Sequence, residues 1–369
     1  MNDDGTIAEI IDPLGETTEL ASTEFHNGII VPGFVNTHCH TELSHFKGKF
    51  SPGTGLWGFV EQVRNLRLEN SELPEVKIEE SIAEMYRQGT VAAADICNTS
   101  DSFFAKQNSP IRFVNLVEVL GLDSEKADLI LDRATFLAKF HEFKPGDSAQ
   151  LTPHSTYTLS EKLWEKLANQ LEEKQLISIH FAESKAEAEF TENRKGKLAD
   201  TFQSWGLPIN SNPLGNQVEI VKKYIPPNSR VLFVHNTFLT KADVLALKEC
   251  FKNAFFSFCP ESNLFIENTL PDVLMLIETG IPLTLGTDSL ASSSNLSILQ
   301  QMLIIQQQFP SIPFAEFLTW ATLNGAKALS IDGELGSIEM NKKPGLNLIS
   351  PFDFKNMRLL PNSKAKRLV

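Results

Sequence analysis

Short apolar runs alternate along the chain with longer stretches of helical periodicity. The apolar runs predict eight strands, at residues 29–38, 90–97, 111–120, 149–154, 176–182, 231–236, 254–259 and 282–288. Val231-Leu232-Phe233-Val234 is apolar at every position, as strands buried on both faces of a parallel sheet are. Amphipathic stretches between the strands predict helices, at 78–88, 125–141, 160–174, 240–252, 270–279 and 295–308.

Eight alternating strand–helix units favour an α/β fold, a closed (β/α)₈ TIM-like barrel over residues 29–330. The alternative is an open doubly wound sheet, but no Gly-x-Gly-x-x-Gly turn follows any predicted strand. The chain ends, 1–28 and 331–369, are richer in turn residues. Gly336–Glu339 followed by 343–348 predicts strand–turn–strand, so we expect both ends to form a small β subdomain beside the barrel.

Composition narrows the function classes. The net charge is −13 and basic residues form no long run, which argues against a nucleic-acid partner. No apolar stretch has membrane-spanning length, and Met1-Asn2-Asp3-Asp4 does not resemble a signal peptide. The four cysteines form no Cys-x-x-Cys pair, which predicts reduced thiols and a cytoplasmic protein. The oligomeric state is left open, with a homodimer among the alternatives.

Histidines and one aspartate gather at the ends of the predicted strands. Active sites of (β/α)₈ barrels lie at these carboxyl ends. Alternate residues of a strand share a face, so the two histidines of His38-Cys39-His40 point the same way. The strand-end residues are His38, His40, His154, His180, His235 and Asp288.

Four of these residues form a candidate metal site. His38, His40, His180 and Asp288 offer three nitrogens and one carboxylate oxygen. This set suits one Zn²⁺, or Fe²⁺, with a position left for water. His235 is either a further ligand or a group that holds the attacking water; we favour the second role because four ligands nearly fill the site.

Two further residues have alternative interpretations. Glu183 follows His180 by three residues and is placed to carry a proton to a leaving group, or it is a helix-start carboxylate that the helix dipole favours. His154 ends the fourth strand, in Leu151-Thr152-Pro153-His154, where no lysine is present to bridge a second metal. We therefore expect His154 to contact substrate; the alternative is a hydrogen-bonded core imidazole.

Longer motifs resemble those of a known enzyme group. The segment 32–40 resembles the first-strand motif of the amidohydrolase superfamily. Segments of its aminohydrolase branch, including guanine and adenosylhomocysteine deaminases, resemble 152–158, 180–184, 259–263 and 286–289, in the same order. The resemblance spans residues 29 to about 348 and includes related chlorohydrolases.

The resemblance implies roles for the candidate residues. It implies one metal held by His38, His40, His180 and Asp288, with Asp288 also taking up the proton of the water. It implies that Glu183 protonates the leaving nitrogen and that His235 contacts the hydrolytic water.

One loop residue bears on substrate choice. His38-Cys39-His40-Thr41-Glu42-Leu43-Ser44 resembles the H-x-H-x-E-x-S form of aminodeoxyfutalosine deaminases. Glu42 is then expected to bind ribose hydroxyls; the alternative is a solvated loop carboxylate. Asn347 stands where this family often carries Asp, and the chain starts late, so we expect shortened N-terminal strands in the side subdomain.

The leading hypothesis is a hydrolase of carbon–nitrogen bonds other than peptide bonds. It would remove ammonia from a small purine-like or nucleoside-like heterocycle. A chlorohydrolase-type activity or binuclear hydrolysis of a cyclic amide are alternatives. A non-catalytic metal-binding barrel is disfavoured, because Glu183 and His235 are not needed to hold a metal.

Overall fold

The computed structural model describes residues 1–11, 23–69, 74–141, 148–209 and 213–369. Within these ranges the strands are β1 (Ile29–Pro32), β2 (Phe34–Cys39), β3 (Thr90–Cys97), β4 (Arg112–Val119), β5 (Ser148–Pro153), β6 (Leu176–Phe181), β7 (Arg230–His235), β8 (Asn253–Phe258), β9 (Leu283–Leu285), β10 (Leu346–Asp353) and β11 (Arg358–Arg367).

The helices of the same ranges lie mainly between these strands. They are α1 (Gly55–Glu69), α2 (Glu75–Arg87), α3 (Phe103–Gln107), α4 (Ala127–Phe140), α5 (Glu161–Ala168), α6 (Lys185–Asn193), α7 (Lys197–Ser204), α8 (Gln217–Tyr224), α9 (Lys241–Cys250), α10 (Pro260–Glu267), α11 (Val273–Thr279), α12 (Ile298–Gln308), α13 (Phe314–Ala321) and α14 (Leu323–Ala328). Short 3₁₀ helices occupy Thr41–Phe46 and Ser124–Lys126. None of the described helices combines the length and apolar character needed to cross a membrane.

Two parallel sheets form the centre of the molecule. One has the order β2-β3-β4-β5 and the other β6-β7-β8-β9. Isolated parallel bridges join them at both seams, Cys39 with Asp288 and Ser155 with His180. Every residue of β2, β3 and β6 is buried, as expected of strands covered on both faces. This architecture confirms the predicted (β/α)₈ fold class.

The first predicted strand, 29–38, is in fact two strands. β1 pairs with β10 in one sheet, whereas β2 pairs with β3 in the barrel. The chain changes sheets at Gly33, where a Cβ atom would lie 2.2 Å from Val91 Cγ1 and 2.6 Å from the Pro344 oxygen. Only glycine fits this close approach. The residue-by-residue pattern is apolar on both sides of Gly33 and therefore does not reveal the break.

Two other predicted elements are shorter in the structure. The helix predicted over 160–174 ends at Ala168, and Lys174 has a left-handed φ of 67° before β6. The strand predicted over 282–288 ends at Leu285, because the backbone N–H groups of Thr287 and Asp288 donate to the His38 oxygen instead.

A separate antiparallel sheet has the order β1-β10-β11. The strand predicted at 336–339 is wrong: Gly336 packs against α14, where its Cβ would lie 2.6 Å from that of Ala326. The hairpin instead joins β10 to β11. The N-terminal segment is tied to 341–342 through Ile7, while residues 12–22 of the predicted subdomain lie outside the described residues. The division into 1–28 with 331–369 and 29–330 stays a prediction.

Candidate metal centre and active site

Three imidazoles and one carboxylate converge at the carboxyl ends of β2, β6 and β9. His40 Nε2 lies 3.1 Å from His38 Nε2 and 3.2 Å from His180 Nε2. Asp288 Oδ1 lies 3.4 Å from His40 Nε2 and 3.9 Å from His38 Nε2. The structure therefore brings the four predicted ligands together although His38 and Asp288 are far apart in the chain.

This arrangement fits a divalent metal. Ligand atoms bound tetrahedrally about 2.0–2.1 Å from one zinc ion lie roughly 3.3 Å from each other. His180 Nδ1 is 2.9 Å from the His154 carbonyl oxygen, so Nδ1 carries the hydrogen and Nε2 keeps its lone pair for a metal. Burial lowers the pKa of both His38 and His180, which keeps these rings neutral.

Two serine hydroxyls orient Asp288. Ser262 Oγ and Ser292 Oγ donate to Asp288 Oδ2 at 2.5 and 2.7 Å, which leaves Oδ1 facing the histidines. Burial would raise the pKa of Asp288, but the imidazoles of His40, His235 and His38 outweigh it and lower that pKa. Asp288 is therefore an ionised carboxylate, suited to bind a metal or to accept a proton.

His235 lies beside the ligand set but is held differently. Its Nδ1 lies 3.2 Å from Asn263 Oδ1, and Asn263 Nδ2 donates to Thr237 Oγ1 at 2.6 Å. This pair of contacts fixes the amide, so Nδ1 of His235 carries the hydrogen and Nε2 is left as an acceptor. Nε2 is 3.7 Å from Glu183 Oε1. These contacts leave His235 Nε2 with a lone pair that suits either a water molecule or a metal, so the role toward water stays a prediction.

Glu183 sits at the start of α6, facing the cavity. Ser184 caps the helix and forms a capping box with Glu187, which fixes the backbone directly after Glu183. Burial, with the nearby carboxylates of Asp288 and Glu267, raises the pKa of Glu183 well above its usual range. A protonated carboxyl at this position is a proton donor.

A cavity of about 390 Å³ opens over these groups. His40, His180, Asp288, Glu183 and His235 line its floor. Its walls are mostly apolar, with contributions from Leu56, Phe59, Val63, Leu122, Tyr157, Phe202, Trp205 and Leu207. Phe202, Trp205 and Leu207 come from α7 and the segment after it. No sequence motif marks them, because they do not lie at the end of a strand. A heterocycle with an apolar substituent matches this enclosure.

The two predicted substrate residues occupy different places. His154 lines the cavity, stacks on His180 with 4.6 Å between ring centroids, and contacts Thr158 Oγ1 through Nδ1 at 3.1 Å. Burial lowers the pKa of His154 to about 4, so it is neutral near pH 7. Both predicted interpretations of His154 are compatible with this position.

Glu42 is buried, so the alternative of a solvated loop carboxylate is wrong. Its carboxylate accepts the backbone N–H groups of Asn98, at 2.9 Å, and Thr99, at 3.1 Å. Among the described residues, those that line the cavity do not include Glu42. Its contacts support a role in holding the loop after β3, and the ribose contact stays a prediction.

Comparison with known proteins identifies the family. The model of the amidohydrolase family matches residues 29–365. The chain belongs to the amidohydrolase family. It is accordingly a hydrolase of carbon–nitrogen bonds other than peptide bonds, in a metal-dependent family, and the three-histidine site lies where the motifs predicted it.

Several relatives of this amidohydrolase are deaminases. An adenosine deaminase of Helicobacter pylori is 29% identical over 336 residues, covering 88% of this chain and 79% of that one. An aminodeoxyfutalosine deaminase of Nitratiruptor is 26% identical over the same shares of the two chains. The crystal structure of Helicobacter pylori aminofutalosine deaminase with methylthio-coformycin superposes with a TM-score of 0.80 at 26% identity, covering 93% of this chain and 87% of that chain.

More distant structures share the fold. Atrazine chlorohydrolase of Arthrobacter aurescens has a TM-score of 0.68 at 14% identity, covering 86% of this chain and 75% of that one. The resemblance to chlorohydrolases is thus a resemblance of fold.

Proposed function

We propose that this amidohydrolase deaminates a purine-like nucleoside by hydrolysis. The observation that carries the proposal is the convergence of a three-histidine, one-aspartate site with the side chains of Glu183 and His235 at one cavity. Relatives at 26–29% identity bear the names of adenosine and aminodeoxyfutalosine deaminases, which supports the choice of substrate.

His38, His40, His180 and Asp288 hold one divalent ion in this proposal. Three imidazoles with one carboxylate make Zn²⁺ the first choice and Fe²⁺ the alternative. The ion supplies Lewis-acid activation of a water molecule when bound.

The other residues then divide the proton transfers. His235 Nε2, kept as an acceptor by the contact of Nδ1 with Asn263, orients the attacking water. The ionised Asp288 carboxylate takes up a proton as the water oxygen bonds to the aminated ring carbon. Glu183 delivers its proton to the departing nitrogen, so that the carbon–nitrogen bond breaks and ammonia leaves. The hydroxyl left on the carbon shifts its proton to the adjacent ring nitrogen, which gives the carbonyl product. Asp288 then releases its proton and Glu183 takes one up, which restores both groups.

The test is ammonia release by purified, zinc-loaded protein from adenosine, 5′-methylthioadenosine and adenine. Release from a nucleoside, with loss of ammonia production after metal removal by a chelator and recovery on adding Zn²⁺, would support the proposal. Release of chloride from a chlorotriazine without any ammonia from the purines would contradict it. A homodimer and a cytoplasmic location stay predictions that this assay does not address.

A further inference from the structure

A second carboxylate, Glu118 near the end of β4, faces the cavity beside the site. It lines the cavity together with Asn98, yet the residue is only 7% exposed. Its Oε1 lies 3.4 Å from His180 Nδ1, on the side of that ring away from the metal-binding Nε2. No motif of the chain marked Glu118 or Asn98.

The protein leaves this carboxylate with unused capacity to accept hydrogen bonds. Asn98 Nδ2 donates to Glu118 Oε2 at 3.0 Å. His180 Nδ1–H already donates to the His154 oxygen at 2.9 Å, so its contact with Glu118 at 3.4 Å is long. Two carboxylate oxygens accept about four hydrogen bonds. Within the described residues, Glu118 thus has one donor of ordinary length and is open to donors from a ligand.

Glu42 fixes the direction of Glu118 through Asn98. The Glu42 carboxylate binds the backbone N–H groups of Asn98 and Thr99, which anchors the loop after β3. The Asn98 side chain reaches from this loop to Glu118. The loop carboxylate therefore acts as a positioning residue, one step removed from the cavity.

We infer that Glu118 is the carboxylate that binds the sugar hydroxyls of the substrate. The inference rests on the proposed function. His154 stacks on His180, and ligand atoms of Glu118, His154 and His180 lie within 4.8 Å of one another. All three residues line the cavity. In the inferred pose, a base whose aminated carbon lies at the ligand set extends along the wall that carries His154 and brings its sugar to Glu118. A vicinal diol offers two O–H donors to the two oxygens of one carboxylate.

A metal bound by Glu118, His154 and His180 is the competing interpretation of this cluster. Their ligand atoms lie within 4.8 Å of one another. However, His180 Nδ1 carries the hydrogen that binds the His154 oxygen and therefore has no lone pair for a metal. The chemistry of the donor set thus favours an organic ligand with hydroxyl donors.

The experiment compares adenosine, 2′,3′-dideoxyadenosine and adenine in the wild type and in Glu118→Gln. Glutamine keeps the acceptor for Asn98 but removes the charge. A hydrogen bond to a charged group contributes about 1.5–3 kcal/mol, or roughly 10- to 150-fold. We expect kcat/KM for adenosine to fall by that factor through KM, with kcat/KM for the other two compounds and the metal content unchanged. Glu249→Gln, an exposed change on α9, is the control.

Glu42→Gln separates the two carboxylates. Because Glu42 is a positioning residue, Glu42→Gln should raise KM for adenosine less than Glu118→Gln does. It should leave kcat for adenosine, and kcat and KM for adenine, unchanged. Loss of discrimination between adenosine and dideoxyadenosine in Glu42→Gln, but not in Glu118→Gln, would overturn the inference. Equal losses for adenosine and adenine in Glu118→Gln, or a second metal ion per chain that this variant loses, would also overturn it.

Calorimetric binding makes the outcome independent of turnover. Zinc-loaded wild-type protein should bind inosine, the product of adenosine deamination, more tightly than 2′,3′-dideoxyinosine, and Glu118→Gln should bind both equally. If no compound releases ammonia but this pattern of binding holds, the proposed reaction fails and the role of Glu118 stands. If ammonia is released but Glu118→Gln keeps the wild-type preference, the role of Glu118 fails alone.

Discussion

Replacement of Gly286 by alanine should disturb the metal centre without touching a ligand. Gly286 follows β9, and a Cβ there would lie 2.8 Å from His38 Cβ and 2.9 Å from the His38 oxygen. That oxygen accepts the N–H groups of Thr287, at 2.9 Å, and Asp288, at 3.1 Å. An added methyl group therefore pushes on the hydrogen bonds that hold His38 beside Asp288, where the two parallel sheets meet.

The size of the effect follows from these distances. Non-bonded carbons normally stay about 3.5 Å apart, so His38 must move by about 0.7 Å from the 2.8 Å contact. Metal–ligand distances tolerate only about 0.2 Å. Overpacking of this kind costs about 1–3 kcal/mol. With an unfolding entropy of about 2.1 cal/mol/K per residue, the Tm of a chain this long should fall by about 1–4 °C.

We expect the affinity for zinc to fall as well, by about 10- to 100-fold, the scale of changes that displace ligands indirectly. The measurements are thermal denaturation of the metal-free protein and zinc titration against a competing chelator. Gly333→Ala is the matched control, because a Cβ at Gly333 has no heavy atom within 4 Å. If Gly286→Ala equals Gly333→Ala in both Tm and zinc affinity, this reasoning about the seam is refuted.

Three further predictions concern the site and its support. His38→Ala should remove the metal, measured by elemental analysis, and abolish turnover while the far-ultraviolet circular dichroism stays native; full zinc content would contradict it. Glu183→Gln should keep the metal and lower kcat by roughly 10²-fold; near-normal ammonia release would reject its role as proton donor. Lys106→Met leaves the fully buried carboxylate of Asp95 without its paired cation and should lower the free energy of unfolding, measured in urea, by about 3–5 kcal/mol. The exposed control Lys222→Met should change this free energy little. A double variant with Asp95→Asn that restores no stability would argue against an uncompensated charge as the cause.

The sequence alone was sufficient for the fold class and for the convergence of the four predicted ligands. Strand–helix alternation is a local pattern, and the parallel strands of a barrel bring their carboxyl ends to one face. The pattern therefore places His38, His40, His180 and Asp288 together. The period of two along a strand sets the shared direction of His38 and His40.

Tertiary structure decided which side chains share the cavity beyond the strand ends. Glu42 has a motif but is directed to the backbone of Asn98 and Thr99, whereas Glu118 has none and faces the cavity. Likewise, only the packing of Gly33 against Val91 reveals that the first apolar run divides between two sheets. Periodicity and motifs record constraints between near neighbours in the chain. The direction of a loop carboxylate depends on donors from other elements, which only the folded chain brings within hydrogen-bonding distance.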